Sequence, residues 1–231
     1  MSIALSIVLP CYNPTEGWEQ RVLENIRLIE KTIPGLELIL VNDGSEKDIS
    51  KEVTLLSSSI QAFKYISYLP NKGKGQAIRT GLDAAIGKYI IYTDIDFPYT
   101  YESLINIYHT LQQGYDIAAG IKNDAYYDKA PKLRTIMSKS LRLMSSKLLK
   151  ISVNDTQCGL KGMNQDSKDI WLGGKIDRYL FDLEAIYKAE RKNKKIKAVP
   201  IELREGVVFS KIKISMMLTE VKNFIKVLIS K

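Results

Sequence analysis

Lys88-Tyr-Ile-Ile-Tyr-Thr-Asp-Ile-Asp96 decides the reading of this chain. Lys88 to Thr93 is an apolar run of the kind a buried strand needs, and two carboxylates follow it one residue apart. In extended backbone residues i and i+2 point the same way, so Asp94 and Asp96 are expected to converge on one divalent cation. Oxygen-only ligation suits Mg²⁺ or Mn²⁺ held together with substrate phosphates. A lone Asp-x-Asp is equally a surface turn with two solvated aspartates, so the rest of the chain has to decide.

Upstream, strand and helix signals alternate. Ile3–Pro10, Leu36–Asn42 and Phe63–Leu69 read as strands. Glu19–Thr32, Asp48–Ser58 and Gly75–Ile86 read as the helices between them. Tyr101–Gln113 and Asp116–Ile121 add a helix and a strand after the Asp-x-Asp. Strands separated by helices of roughly 10–15 residues imply crossover connections and a mainly parallel sheet flanked by helices, an α/β fold. Such sheets bind ligands beyond the carboxyl ends of their strands. Those ends read Pro10-Cys-Tyr-Asn, Val41-Asn-Asp-Gly-Ser, Pro70-Asn-Lys-Gly and Asp94-Ile-Asp, all polar and turn-forming.

The second half is less regular. Lys132–Leu149 is a long basic helix, and Gln157–Met163 a short segment with two glycines. Tyr179–Lys192 reads as a helix, Ile196–Leu203 as a strand and Lys211–Ile229 as a terminal helix. With no internal repeat or low-complexity linker, one domain over 1–231 is expected. Its nucleotide-binding half would be 1–122 and its acceptor-binding half 123–231.

Bulk composition removes several function classes. The 231 residues are 45% apolar with a net charge of +8, a globular composition whose excess charge favours an anionic partner. Cys11 and Cys158 are far apart without C-x-x-C spacing, which argues against a disulfide framework or zinc site and fits a reducing compartment. His109 is the single histidine, so a multi-histidine metal centre is excluded. No stretch approaches ~18 uncharged apolar residues and the N-terminus lacks a basic n-region, so neither a membrane span nor a signal peptide is expected. No nucleic-acid recognition motif appears, and the basic residues lack interleaved aromatics. Asn71-Lys-Gly-Lys-Gly75 fits neither the phosphate-loop nor the dinucleotide pattern. A nucleotidyltransferase would want a glycine-rich loop after the first strand, where this chain has Cys-Tyr-Asn-Pro.

Taken in order, the blocks resemble the family-2 glycosyltransferases with a GT-A fold, and most closely their polyprenyl- and dolichyl-phosphate mannose and glucose synthase branch. Pro10-Cys-Tyr-Asn13 is similar to the strand end that lies against the nucleotide base, with Tyr12 offering a stacking face. The acid that usually follows is replaced by Pro14-Thr-Glu16. Asn42-Asp-Gly-Ser45 resembles the family's Asp-Asp-Gly-Ser, which places the base contact on Asp43. Asn71-Lys-Gly-Lys-Gly75 resembles its Asn-x-Gly-Lys-Gly element. Gly75 would allow close approach, free helix N–H groups would meet an anion, and Lys72 and Lys74 would add charge. Asp94-Ile95-Asp96 is implied to bind the Mg²⁺ or Mn²⁺ that bridges the donor diphosphate and stabilises the leaving group.

The branch is distinguished further along. Arg134 and Ser138, four apart on a helix, precede Asp155-Thr-Gln-Cys-Gly-Leu-Lys-Gly162, similar to the Arg-x-x-x-Ser and Asp-x-x-Cys/Ser-Gly-Phe-Lys/Arg pair of members acting on lipid phosphates. The resemblance implies that Arg134 and Lys161 contact phosphate. Phe181-Asp-Leu-Glu184, Val199-Pro-Ile201, Arg204 and Ser210-Lys211 match the family's closing blocks, the last one stretched. Arg204 and Lys211 are thereby implied as donor-side cations.

Two acceptors stay open. A sugar hydroxyl in a cell-surface glycan needs a general base, for which Asp182 is the best candidate and Glu184 the next. A polyprenyl phosphate is already ionised and instead needs cations. Residues 129–150 carry seven Lys or Arg, no acid, and apolar residues at helical spacing. Such a helix suits an anionic membrane surface as well as it suits core packing. The expected donor is a UDP- or GDP-sugar, and the expected location the cytoplasmic face of a membrane.

Overall fold

The computed structural model describes residues 3–153, 155–207 and 214–229. Within residues 3–122 the chain alternates β1 (Leu5–Cys11), α1 (Trp18–Thr32), β2 (Leu36–Asp43), α2 (Ser50–Ser59), β3 (Phe63–Tyr68), α3 (Lys74–Ala84), β4 (Tyr89–Tyr92), α4 (Tyr101–Gln112) and β5 (Ile117–Lys122). Two helices follow, α5 (Asp124–Lys129) and α6 (Lys132–Met144), the latter running into a wider π turn at Ser145–Leu149. The chain then forms β6 (Lys161–Asn164), α7 (Gln165–Leu172), α8 (Phe181–Arg191), β7 (Ile196–Ile201) and α9 (Ile214–Ile229).

All seven strands join one sheet in the order β3-β2-β1-β4-β6-β5-β7. The β1–β2, β1–β4, β2–β3 and β5–β7 pairs are parallel. Strand β6 is antiparallel to both β4 and β5. Both faces of the sheet are covered, which is why its central strands read as continuous apolar runs. Ile7, Leu9, Leu38 and Leu40 face α1 and α4, packing with Val22, Ile26 and Ile107. The alternate residues Val8, Ile39 and Val41 face α3 and α8, packing with Ile78, Leu82 and Ile186. Pro10 is tolerated because β4 pairs with β1 only as far as Val8, so its missing N–H falls beyond the ladder.

Two local expectations are corrected. Strand β4 stops at Tyr92, and the Phe97 N–H donates to the Asp94 carbonyl at 2.9 Å. Asp94 and Asp96 therefore stand on a turn rather than on one face of an extended strand. The glycine-containing stretch near 160 is in part β6, which slots into the sheet and carries Lys161 to Tyr92 and Ala119 as register partners.

Candidate active site

The carboxyl ends of β1 and β2 are tied together by polar side chains. Asn13, in left-handed backbone at φ 44°, accepts from the Glu46 N–H at 2.9 Å through Oδ1, while its own N–H donates to Ser45 Oγ. Asn42 Oδ1 accepts from the Ser45 N–H, and Asn42 Nδ2 donates to Tyr65 Oη, 3.0 Å each. Asn42 is thus a turn-builder, bonded to both the Ser45 N–H and Tyr65 Oη. Tyr12 stands free beside this frame, 48% exposed, with its ring available for stacking. Behind it, burial pushes the Cys11 thiol up to about 12, which leaves it an inert core group.

Asp43 differs from its expected role. Its buried carboxylate accepts from the Lys72 N–H at 2.8 Å, the Gly73 N–H at 2.9 Å and Asn71 Nδ2 at 2.8 Å. A carboxylate offers about four acceptor sites, and three are spent on the loop before α3. Asp43 therefore positions the donor loop. The start of α3 is likewise not an open anion cradle: the Gly75 N–H donates to the Asp177 carbonyl at 2.7 Å. Gly73, at φ 104°, leaves no room for a Cβ, which would lie 2.5 Å from the same carbonyl. Arg79 completes the clamp, giving hydrogen bonds to the Ile176 carbonyl and the Asp177 carboxylate. The Gly75 N–H thus holds the 176–178 loop, while the Lys72 and Gly73 N–H groups hold Asp43.

The Asp-x-Asp turn carries the exposed chemistry. Phe97 is buried and left-handed at φ 44°, a conformation rare for a bulky residue. Arg204 fixes it, donating from Nε to the Phe97 carbonyl at 2.9 Å and from a terminal nitrogen to the Asp96 carbonyl at 3.3 Å. Arg204 therefore spends part of its donor set on this turn. Burial, with the Asp94 charge beside it, pushes the Asp96 carboxyl above its ordinary value. Lys74 Nζ pairs with Asp94 Oδ1. Burial alone would lower this ammonium, but the charges of Asp94 and Asp182 outweigh it and raise it. Gly159 closes the group: a Cβ there would fall 2.5 Å from Asp94 Oδ2 and 3.5 Å from Lys74 Nζ. Ile95 is half-buried against the core below.

Lys161 and Asp182 are corrections of a different kind. Lys161 is completely buried, paired with Asp182 Oδ2 at 3.1 Å and donating to the Thr156 and Cys158 carbonyls. Two of its donors go to the 156–158 loop and its charge to Asp182, so this fully buried lysine braces the loop and Asp182 rather than facing solvent. Asp182 Oδ1 accepts from Tyr92 Oη, which itself accepts from Trp171 Nε1 at 3.2 Å. Both Asp182 oxygens have protein partners and the residue is 4% exposed, so action as a base would require its release from this network. Glu184, the second candidate base, accepts from the Lys175 and Ile176 N–H groups and from Lys188.

The sequence reading missed a second buried pair, Lys122 with Asp155 at 3.1 Å, whose carboxylate also accepts from the Lys122 N–H. Its signal was a lysine at the carboxyl end of β5, where the neighbouring strand ends carry polar residues. Ser138 Oγ lies 3.1 Å from Tyr127 Oη. The Arg134 side chain and the whole of Lys211 lie outside the described residues. Among the described residues no three His, Cys, Asp or Glu side chains converge as a metal shell.

This fold and carboxylate turn define a nucleotide-sugar transferase of the GT-A kind. Residues 6–171 match the model of Glycosyl transferase family 2, and the chain belongs to that family. A dolichyl-phosphate beta-glucosyltransferase of Trichomonas vaginalis is 30% identical over 99% of this chain and 74% of its own length. The dolichyl-phosphate beta-glucosyltransferase of Saccharomyces cerevisiae is 28% identical over 88% of this chain and 67% of its own. The undecaprenyl-phosphate 4-deoxy-4-formamido-L-arabinose transferase of Proteus mirabilis is 28% identical, over 73% of this chain and 51% of its own. Glucosyl-3-phosphoglycerate synthase of Mycobacterium tuberculosis, solved with UDP, superposes with a TM-score of 0.75 at 16% identity, covering 99% of this chain and 79% of that one. At that identity the likeness is one of fold. Other structures of that enzyme hold Mn²⁺ or Mg²⁺ with UDP.

Proposed function

We propose that this chain transfers a sugar from a nucleotide-sugar to a polyprenyl phosphate, with inversion and with a divalent cation. The observation that carries this reading is the approach of Gly159, from the segment that marks the lipid-phosphate branch, to the Asp94 carboxylate. That approach supports reading the donor metal ligands and the acceptor loop as one site. The named activities of the dolichyl- and undecaprenyl-phosphate relatives point the same way.

Asp94 and Asp96 would hold the Mg²⁺ or Mn²⁺. Hard carboxylate oxygens suit these ions, and the raised Asp96 carboxyl marks a place where negative charge is crowded. When bound, the ion offsets charge developing on the leaving nucleoside diphosphate. Tyr12 would stack on the base, with Pro10, Asn13, Asp43 and Gly75 shaping the loops around it. Lys74, Arg204 and Lys211 would serve the diphosphate, and Arg134 the acceptor phosphate. An ionised phosphate attacks without a general base, which fits the engagement of both Asp182 oxygens. The hydroxyl-acceptor alternative would need Asp182 released from that network.

The acceptor also implies a surface. Along α6 and its π turn Ile136, Leu143, Met144 and Leu148 are 63, 56, 44 and 55% exposed. Lys132, Lys139 and Lys147 are exposed among them. Apolar side chains set among lysines without an acid suit an anionic leaflet, so we place the chain peripherally on the cytoplasmic face. No helix among the described residues is long and apolar enough to cross a membrane. The whole chain, 1–231, would work as one unit with donor and acceptor halves.

A partition assay tests the reading. The protein is incubated with Mg²⁺, undecaprenyl phosphate in detergent and labelled UDP- and GDP-sugars. Label entering the organic phase, and lost with Asp96→Ala, is the expected result. Nucleotide release that requires a glycan instead would transfer the assignment to a hydroxyl acceptor.

A further inference from the structure

We propose that Lys74 holds the cation's place on Asp94, so that metal and nucleoside diphosphate enter the site together rather than one after the other. This rests on the reading of Asp94 and Asp96 as metal ligands. Three observations support it. The Lys74 ammonium already pairs with Asp94 Oδ1, the oxygen set a divalent ion would need. It does so at the rim, 26% exposed, from the first residue of α3, so a flexible four-carbon stem can swing it away without moving the helix. The surrounding charge also needs a cation at all times. Asp94, Asp96 and Asp182 gather here; Lys161 pairs with Asp182, Arg204 and Arg21 act on Asp96, and Lys74 is the cation paired with Asp94.

A dication arriving alone would meet an ammonium within hydrogen-bonding distance of its own ligand, and like charges at that range repel strongly in a half-buried site. A diphosphate removes the conflict. It would give Lys74 a new anionic partner, free Asp94 Oδ1, and supply oxygens that a metal on Asp94 and Asp96 alone would lack, no three His, Cys, Asp or Glu side chains converging among the described residues. Gly159 keeps the path clear, since any side chain there would collide with Asp94 Oδ2. Lys74 is in this sense a positioning residue that sets the order of assembly.

Mn²⁺ binding followed by the electron paramagnetic resonance of the free ion tests this without turnover. Wild type is expected to bind Mn²⁺ weakly alone and at least about tenfold more tightly with UDP or GDP. Lys74→Met should bind Mn²⁺ alone about tenfold more tightly than wild type and lose most of the nucleotide effect. Lys74→Arg, which keeps the charge, should follow wild type. Thermal unfolding of each variant confirms that the fold is intact. The placeholder role is overturned if wild type shows nucleotide-dependent Mn²⁺ binding but Lys74→Met gains nothing without nucleotide. If wild type takes up no Mn²⁺ even with UDP and GDP, the metal assignment itself falls, and the placeholder with it.

Discussion

Two lysine–aspartate pairs mark two regions of this molecule. Lys161–Asp182 lies at the floor of the cleft, 0% and 5% exposed, while Lys74–Asp94 lies at its rim, 26% and 37% exposed. Residue types are identical and environments are not. At the floor Lys161 bonds the Thr156 and Cys158 carbonyls and pairs with Asp182, which also accepts from Tyr92, so the pair braces the 156–158 loop and the start of α8. At the rim Asp94 Oδ2 lies against Gly159 and both side chains are partly exposed, so the partners can exchange. Burial turns a charge into a strut, and partial exposure leaves it available for chemistry.

The largest effect should come from the rim. Asp96→Ala is expected to cut turnover by about 10²–10³-fold, the size seen when a preorganised electrostatic element is lost, while the melting temperature stays near wild type. A large loss of stability would break the contrast, because it would make the rim structural too. The floor should behave in the opposite way. Lys161→Met strands a buried carboxylate and should cost about 3–5 kcal/mol in urea unfolding, with Lys161→Met/Asp182→Leu recovering much of it. If the single variant unfolds like wild type, the floor pair is not the strut described above.

Smaller effects sharpen the boundary between the halves. Leu143→Asp on α6 should weaken sedimentation with anionic vesicles by about tenfold, from loss of one inserted leucine, and leave nucleotide binding unchanged. Unchanged sedimentation would remove this helix from the membrane contact. The smallest change lies at the far end of the sheet. There buried Glu37 accepts from Ser6 and the Ile86 N–H and pairs with Lys64 at 3.0 Å. Burial opposes its charge, but these partners outweigh it and hold the carboxyl below its ordinary value. Its contribution is therefore present above the unfolded glutamate value of about 4.3 and lost as pH falls through the lower folded value. Glu37→Gln should flatten that acid limb by roughly 1 kcal/mol without touching turnover. An unaltered limb would place the acid sensitivity elsewhere.

Much of this was legible because periodicity and turn chemistry are local. Alternating apolar runs and helices gave the parallel half, and the polar strand ends located the cleft. What escaped depends on contacts between distant segments. Asp43 spends its acceptors on residues 71–73, and Gly75 spends its N–H on Asp177, neither visible until the loops are brought together. Lys161 looked like a phosphate ligand because lysine usually seeks water, and only the fold shows it walled in. Strand β6 was missed because Lys-Gly-Met-Asn is too short to show a period and carries a residue, glycine, that weakens strands. The left-handed Phe97 has no sequence signal at all, since Arg204 imposes it from a hundred residues away.

Strand β6 has one further consequence. It is hydrogen-bonded on both edges, to β4 and to β5, so it joins the two sides of the sheet. A hinge between the two sides would have to break a ladder in the middle of a continuous sheet. Opening around this site like a book is therefore strongly disfavoured. Entry of substrates and exit of the lipid product must be managed by swinging side chains and loops around a rigid floor.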